Sequence, residues 1–275
     1  MADNIRLNDA HRAPEGGVHE KPPTSLIFDV IRRDGEKELS RPLGANWWSG
    51  VAAGLAMSTS VLCKGFLVSI LPDADWTDGI SNFGYTVGFL IVILGRMQLF
   101  TEKTITPILP LFLTPRLGTL ARILQLWITI FAANLVGCAV SAWVLALGHI
   151  VPDDRFAGLL AVSRKYAEAT PLEHFALGIP AGFIVAALVW LLPRMKSAGE
   201  VMIIVILTYM IGLGGMSHVV AGATELFILV ARGELAADAA MVEGVLPALA
   251  GNVLGGTGIF AALAYAQVRE ELRAR

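Results

Sequence analysis

Six long apolar stretches restrict what this chain can fold into. They cover, in approximate numbering, residues 45–71, 83–113, 120–147, 172–192, 201–230 and 245–268. Each approaches the ~20 residues that a helix needs to cross about 30 Å of hydrocarbon. The stretches lack the alternation of apolar and polar residues that is typical of an outer-membrane barrel. The sequence therefore predicts an all-α protein with six transmembrane helices.

The composition excludes the ordinary soluble and nucleic-acid-binding classes. Hydrophobic residues make up 55% of the 275 residues and charged residues 16%, against about 45–50% and about 25% in a soluble domain. The net charge of −2 provides no positive field for a nucleic acid. Cys63 and Cys138 lie in apolar stretches, which argues against a disulfide framework or a cysteine metal site. We expect no metal and no cofactor.

The chain divides into an N-terminal tail (residues 1–44), a pore domain (45–268) and a C-terminal tail (269–275). Apolar residues from Leu26 to Ile31 recur at helical spacing. This pattern predicts a short amphipathic helix on the membrane surface or against the membrane domain. The alternative is a loosely ordered tail with one helical turn.

The charges of the connecting segments predict the orientation in the membrane. Lys and Arg are frequent in both tails and in the turns after the second and fourth spans. The loop after the first span has Asp73, Asp75 and Asp78 and neither Lys nor Arg. Because short cytoplasmic segments are enriched in Lys and Arg, we expect a multi-pass protein of the bacterial inner membrane with both termini in the cytoplasm.

The two halves of the chain share several features. Asn134 in the third span and Asn252 in the sixth each follow a small residue and precede a Gly three positions later. The second span is interrupted at residues 101–104 and the fifth at residues 212–218. Because each half has three spans, the halves must be inverted relative to each other. Broken helices at matching positions of an inverted repeat indicate a permeation site. The alternative is that Pro and Gly kink both helices for packing alone.

Two ionisable residues stand out within the spans. His218 is the only one of five histidines that falls at mid-membrane depth, and such a group is a functional candidate by default. A neutral imidazole can donate a hydrogen bond to a passing anion, and an imidazolium can protonate it. The alternative is a hydrogen-bonded packing histidine. Arg96 lies in the second span, where an unpaired cation costs several kcal/mol. We expect a buried partner for it, such as Glu225 or Glu102, in a structural clamp or near the pore.

Several motifs together resemble the formate/nitrite transporter family over about residues 45–268. The second span reads Gly84-Tyr85-Thr86-Val87-Gly88-Phe89 and then Gln98-Leu99-Phe100-Thr101. The fifth span reads Ser217-His218-Val219-Val220-Ala221, and the sixth reads Gly251-Asn252-Val253-Leu254-Gly255-Gly256. The stretch of residues 95–104 is most similar to a divergent branch of that family, the YfdC-like inner-membrane proteins.

The resemblance implies an aquaporin-like inverted repeat assembled as a homopentamer, with one pore in each protomer. The implied substrate is a small monovalent anion or its conjugate acid, of the formate, nitrite or hydrosulfide class, in passive or proton-coupled passage. The implied pore residues are His218 and Thr101 at the centre, Leu99 and Phe100 at the cytoplasmic-side constriction, Tyr85, Phe89 and Ile211 at the periplasmic-side constriction, and Lys165 in the vestibule.

The chain departs from the family pattern at several positions. Gln98 and Ser217 replace acidic residues, Gly222 and Gly182 stand where Asn is usual, and Arg96 replaces a small residue. A non-transporting or differently selective protein that keeps the fold is therefore the alternative function. An intramembrane enzyme or redox subunit has less support. A haem that is bound by two histidines needs a pair of them, whereas only one histidine falls at mid-membrane depth, and the sequence has no HExxH or GxSxG motif.

Overall fold

The computed structural model describes residues 23–147 and 150–273, without the side chain of residue 272. Parts of both predicted tails, residues 1–22 and 274–275, lie outside the described residues. The helices are α1 (Thr24–Ser40), α2 (Leu43–Ile70), α3 (Thr77–Leu94), α4 (Leu109–Leu113), α5 (Leu117–Leu147), α6 (Asp153–Ala167), α7 (Pro171–Leu191), α8 (Ala198–Leu213), α9 (Val219–Ala231) and α10 (Ala237–Glu271). Two short 3₁₀ segments, Phe100–Thr104 and Leu192–Arg194, join them, and α10 contains π-helical turns at Ala240–Val245 and Leu254–Ala261.

Five of the described helices, namely α2, α3, α5, α7 and α10, are long and apolar enough to cross a membrane. The fifth predicted stretch is not one helix, because α8 ends at Leu213 and α9 begins at Val219. The second stretch is divided as well, since α3 ends at Leu94 and α4 begins at Leu109. Five of the six predicted stretches thus contain a helix of membrane-spanning length. The fifth stretch contains two shorter apolar helices, α8 and α9, instead.

Glycines allow the long helices to approach closely. A Cβ at Gly54 of α2 would overlap the carbonyl oxygen of Asn134 in α5. In the same way, a Cβ at Gly182 of α7 would overlap the carbonyl oxygen of Asn252 in α10. Small residues that bring backbones together are the usual interface of helices in lipid. Here they place each asparagine directly beside a neighbouring helix.

The expected amphipathic helix near the N-terminus is present as α1. Its buried apolar face includes Ile27, Phe28 and Ile31. The carboxylate of Glu38 forms an ion pair with Lys103 and accepts a hydrogen bond of 2.7 Å from the Thr106 hydroxyl. The helix therefore packs against the protein, over the segment that follows α3, and not on lipid alone.

The helix α6 was not expected from the hydropathy, because it lies in the loop between the third and fourth apolar stretches. Its sequence does contain charged residues that are typical of the two ends of a helix. Asp153 and Asp154 lie in the first turn, and Arg164 and Lys165 lie in the last turn. Acidic residues at the beginning and basic residues at the end complement the helix dipole. This charge order is the signal that could have predicted the helix.

Candidate pore site

Two interrupted helices form the centre of the candidate site. After α3 ends at Leu94, Arg96 adopts a left-handed backbone with φ of +50°. After α8 ends at Leu213, Gly215 adopts the same conformation with φ of +59°. Glycine accepts this conformation freely, whereas a side chain adds roughly 1–2 kcal/mol. The conformation of Arg96 is thus a local strain in the first interruption.

The backbone hydrogen bonds of the two interruptions match. The Met97 amide donates to the Val92 carbonyl at 3.0 Å, and the Leu99 amide donates to the Met97 carbonyl at 3.2 Å. In the second interruption, the Met216 amide donates to the Ile211 carbonyl at 3.0 Å, and the His218 amide donates to the Met216 carbonyl at 3.2 Å. Leu99 and His218 therefore occupy corresponding positions in the two segments.

Asn134 satisfies the backbone groups that the first interruption leaves free. Its Oδ1 accepts a hydrogen bond from the Phe100 amide at 2.8 Å. Its Nδ2 donates to the carbonyls of Gln98 at 2.9 Å and Gly50 at 2.8 Å. Unpaired backbone groups are costly inside a membrane, so this one side chain stabilises the irregular segment.

Asn252 does the same for the second interruption. Its Oδ1 accepts from the Val219 amide at 3.0 Å, and its Nδ2 donates to the carbonyls of Ser217 at 2.8 Å and Gly178 at 2.9 Å. The sequence pattern indicated both asparagines as polar helix residues. The structure adds what they bind, namely one amide and one carbonyl of each interruption and one carbonyl of a neighbouring helix, Gly50 in α2 or Gly178 in α7.

Thr101 and His218 meet between the two interruptions. Thr101 Oγ1 lies 2.7 Å from His218 Nε2, and both residues are fully buried. His218 Nδ1 accepts a hydrogen bond of 3.3 Å from the Ala221 amide and so caps the beginning of α9. Because Nδ1 is an acceptor, the proton of a neutral imidazole is assigned to Nε2, which donates it to Thr101. His218 is thus both a helix cap and a hydrogen-bond donor.

Apolar side chains surround this pair. The Phe89 ring lies 4.8 Å from the His218 ring, edge to face. Phe100 packs on Trp127 and Phe131, with ring centroids 6.0 Å and 5.1 Å away. The residues that the family resemblance assigns to constrictions are all buried, namely Tyr85, Phe89, Leu99, Phe100 and Ile211. We call these five side chains the apolar sleeve.

Two cavities lie at opposite ends of α3 and α7. The termini-side cavity, of about 690 Å³, is lined by the ends of both helices and by α1. The loop-side cavity, of about 820 Å³, is lined by the beginnings of both helices, by α6 and by the end of α8. Tyr85 is the one residue of the sleeve that lines either of them. The Thr101–His218 pair is fully buried and lines neither cavity.

The expectation of a buried partner for Arg96 is wrong for the protomer. Arg96 is exposed and lines the termini-side cavity. Glu225, one of the expected partners, lines the loop-side cavity. The physical reason is that α3 ends before Arg96, so the guanidinium lies at an open mouth and not inside a continuous span.

Lys165 lies in the loop-side cavity, where the resemblance implies a vestibule lysine. Its Nζ is 2.7 Å from a carboxylate oxygen of Asp78. The neighbouring Arg164 forms two hydrogen bonds, of 2.7 Å and 2.9 Å, with Glu234. The bonded guanidinium holds the pKa of Glu234 below its usual range. Both basic side chains in the last turn of α6 are therefore paired with carboxylates.

Sequence reasoning missed two residues of the loop-side cavity. Tyr166 packs on the ring of His174 at 4.7 Å and fills the space in which a Cβ of Gly222 would lie. Asn82 is buried and also lines this cavity. No spacing rule connects α6 with α9, so the sequence alone does not predict the contact between Tyr166 and Gly222.

Comparison with known proteins gives one consistent result. The family model described as formate/nitrite transporter matches residues 25–266. The inner membrane protein YfdC of Escherichia coli (strain K12) is 37% identical over 246 residues, which cover 90% of this chain and 79% of that protein. These matches are to transporters and membrane proteins, not to enzymes.

Two solved structures share the fold. One is a pentameric formate channel with formate bound, which has 18% identity and a TM-score of 0.70 and is matched over 83% of this chain and 98% of the channel. The other is an FNT family ion channel, which has 19% identity and a TM-score of 0.74 and is matched over 89% of this chain and 98% of that channel. The fold is therefore an all-helical membrane fold of the channel type.

Proposed function

Because the chain belongs to the formate/nitrite transporter family, we propose that it forms an inner-membrane pore for a small monovalent anion or its conjugate acid. Substrates of the formate, nitrite or hydrosulfide class fit this proposal. The observation that carries it is the bond between Thr101 and His218. It joins a hydroxyl and an imidazole that are both fully buried, with the Phe89 ring against the imidazole, and such polar groups can replace water around a passing solute.

The sleeve and the pair have different tasks in the proposed passage. The apolar side chains exclude hydrated ions, with Leu99 and Phe100 on the termini side and Tyr85, Phe89 and Ile211 on the loop side. A bare charge is strongly disfavoured in such surroundings, whereas a neutral weak acid crosses more readily. His218 and Thr101 replace part of the lost hydration. In the proton-coupled form of the mechanism, the His218 imidazole first takes up a proton from water and then passes it to the anion. Arg96 at the termini-side mouth attracts anions.

We further propose six spans in an inverted repeat. In this arrangement α8 and α9 together form the fifth span, and α3 with the segment through α4 forms the second. The matched hydrogen bonds at Leu99 and His218 support it, as do the equivalent roles of Asn134 and Asn252. The pore domain then comprises residues 45–268, between the tails of residues 1–44 and 269–275.

The assembly is expected to be a pentamer with one pore in each protomer. The pentameric formate channel supports this expectation. Native mass spectrometry in mild detergent should give the mass of five 29.3 kDa protomers. A stable monomer under the same conditions would count against the proposal.

Both termini are expected in the cytoplasm, with the loop-side cavity opening to the periplasm. The basic tails and the acidic loop at Asp73, Asp75 and Asp78 motivate this orientation. A reporter fused after residue 275 should be active when it requires the cytoplasm and silent when it requires the periplasm. The reverse activity would refute the orientation.

The function itself is tested by uptake into liposomes that contain the purified protein. Formate, nitrite, hydrosulfide, acetate and lactate are compared at two pH values, with protein-free liposomes as the control. Uptake of at least one small weak acid well above the control is expected. A folded pentamer that passes none of them would instead favour the alternative, a protein that keeps the fold without transport.

A further inference from the structure

The contacts around the two interruptions also match beside the asparagines. The Gln98 amide donates to Ser49 Oγ at 3.1 Å, and the Ser217 amide donates to the Leu177 carbonyl at 3.3 Å. Both acceptors directly precede the glycine, in α2 or in α7, whose carbonyl binds the asparagine of that half. Gln98 and Ser217 therefore occupy corresponding positions, each just before Leu99 or His218.

A buried polar residue lies one helical turn before each of these glycines. It is Asn46 in α2, which is 0% exposed, and His174 in α7, which is 2% exposed. In the second half, His174 Nδ1 lies 3.1 Å from Ser217 Oγ, so the two side chains satisfy each other. Residues one turn apart share a helix face. Asn46 is therefore placed on the face of α2 that meets the segment of Gln98.

The side chains of the first half have no such bond. Among the residues that the structure describes, no partner is found for Asn46 Nδ2, Asn46 Oδ1, Gln98 Oε1 or Glu102 Oε1, and all four atoms are buried. Gln98 is only 5% exposed, and it lines the termini-side cavity together with Glu102. Buried polar atoms are normally satisfied by protein, by water or by a ligand. The first interruption is thus open where the second is closed by a side-chain pair.

The unpaired atoms restrict what fits between them. Three are oxygen acceptors, and the fourth, Asn46 Nδ2, is a donor. A matching ligand must carry several hydrogens to donate and also an acceptor. Formate and nitrite anions have no hydrogen to donate, and an ammonium ion has no acceptor. Four acidic and four basic residues line the termini-side cavity, so its charges favour neither sign of ion.

We infer that Asn46, Gln98 and Glu102 form a binding site for a small uncharged solute of the urea type, which enters from the termini-side cavity. Such a molecule has amide N–H groups on both sides of one carbonyl. The N–H groups donate to the three unpaired oxygens, and the carbonyl accepts from Asn46 Nδ2. The site adds a second class of ligand to the proposed anion or weak acid. At the loop side, the bond between His174 and Ser217 occupies the corresponding position.

The ligand is tested with methylurea and the purified full-length protein in detergent, by saturation-transfer NMR of the methyl protons, with empty micelles subtracted. Tetramethylurea is the matched control, because it keeps the carbonyl and has no N–H. We expect saturable binding of methylurea and at least about tenfold weaker binding of tetramethylurea, as the loss of one or more hydrogen bonds predicts. Equal binding of the two overturns the inference. No binding of methylurea also overturns it, since the site would then hold water only.

The place of the site is tested by substitution. Asn46→Leu and Gln98→Leu each remove unpaired polar atoms, so they should keep assembly and lower the affinity for methylurea about tenfold. Ser217→Ala, at the corresponding position of the second half, should bind methylurea like the wild type. Unchanged binding by both leucine variants, or an equal loss in Ser217→Ala, overturns the inference.

Excess formate should leave methylurea bound, because the anion cannot donate to the three oxygens. Displacement by formate would assign the site to the anion and overturn the inference. The binding is measured without transport. Failure of liposome uptake would therefore refute the proposed function and leave the urea-type site in place.

Discussion

Asn252→Leu is expected to abolish assembly of the folded protein. The substitution leaves the Val219 amide and the Ser217 carbonyl without their partner. The Gly178 carbonyl loses its bond to Asn252 as well, but it lies inside α7, where carbonyls also accept from the helix's own amides. Each buried unpaired group costs about 1–3 kcal/mol, so the total is a large part of the about 5–15 kcal/mol that stabilises a typical protein. Size-exclusion chromatography of a fluorescently tagged protein should show little or no pentamer.

Asn134→Leu should have the same effect, because Asn134 bonds the equivalent groups of Phe100, Gln98 and Gly50. Asn46→Leu is the matched control. Asn46 is fully buried in α2, and neither atom of its amide has a hydrogen-bond partner within residues 23–147 and 150–273. Its substitution should therefore leave assembly intact. A normal pentamer yield and thermal midpoint for Asn252→Leu would show that the asparagine does not hold the interrupted segment.

The hydropathy of the sequence predicted most of the helices, because a helix that crosses lipid must be apolar over nearly its whole length. It did not fix where they end. The second stretch is apolar on both sides of Arg96, yet α3 already ends at Leu94. That end depends on a left-handed residue and on bonds from Asn134 in another helix. A pattern within one segment does not contain such a partner.

The candidate site divides in a similar way. Thr101 and His218 lie 2.7 Å apart. The family motifs indicated both residues, because both lie at interruptions of a repeated pattern, and their place at the centre of a pore stays a prediction. The charge at the two cavities was not predictable from the sequence. Lys165 of α6 looks like a free vestibule cation in the sequence, but its partner Asp78 comes from the first turn of α3. Pairing between distant segments decides the charge that a solute meets, and it becomes visible only in the folded chain.

His218→Asn is expected to keep the fold and to remove the part of the pH response that depends on a titrating side chain. Asparagine is a preferred N-cap, so its side-chain oxygen can replace His218 Nδ1 as acceptor of the Ala221 amide. It cannot gain or lose a proton near neutral pH. A positioned acid or base commonly contributes about 10²–10⁴-fold to a proton-transfer step. We therefore expect at least about a tenfold loss of the pH-dependent part of the flux.

Two further variants distinguish a loss of the pH response from a loss of stability. His218→Leu lacks the cap as well, so it should cost a further ~1 kcal/mol of stability and lower the thermal midpoint relative to His218→Asn. His174→Asn changes the other histidine that the structure describes, which bonds Ser217 Oγ at 3.1 Å and lines the loop-side cavity. It should keep the wild-type pH profile. A flattened profile in His174→Asn would assign the response to the cavity and not to the sleeve.

The most direct test is the pH profile of formate uptake by the wild type and by His218→Asn, each as an assembled pentamer in liposomes. Uptake is measured from about pH 5 to about pH 8, the range over which histidines titrate, with the uptake of protein-free liposomes subtracted. We predict that uptake by the wild type rises steeply as the pH falls, and that uptake by the variant rises no more than the fraction of the conjugate acid does. If the variant assembles normally and keeps the wild-type profile, His218 is not the proton-linked group and the proposed mechanism is wrong.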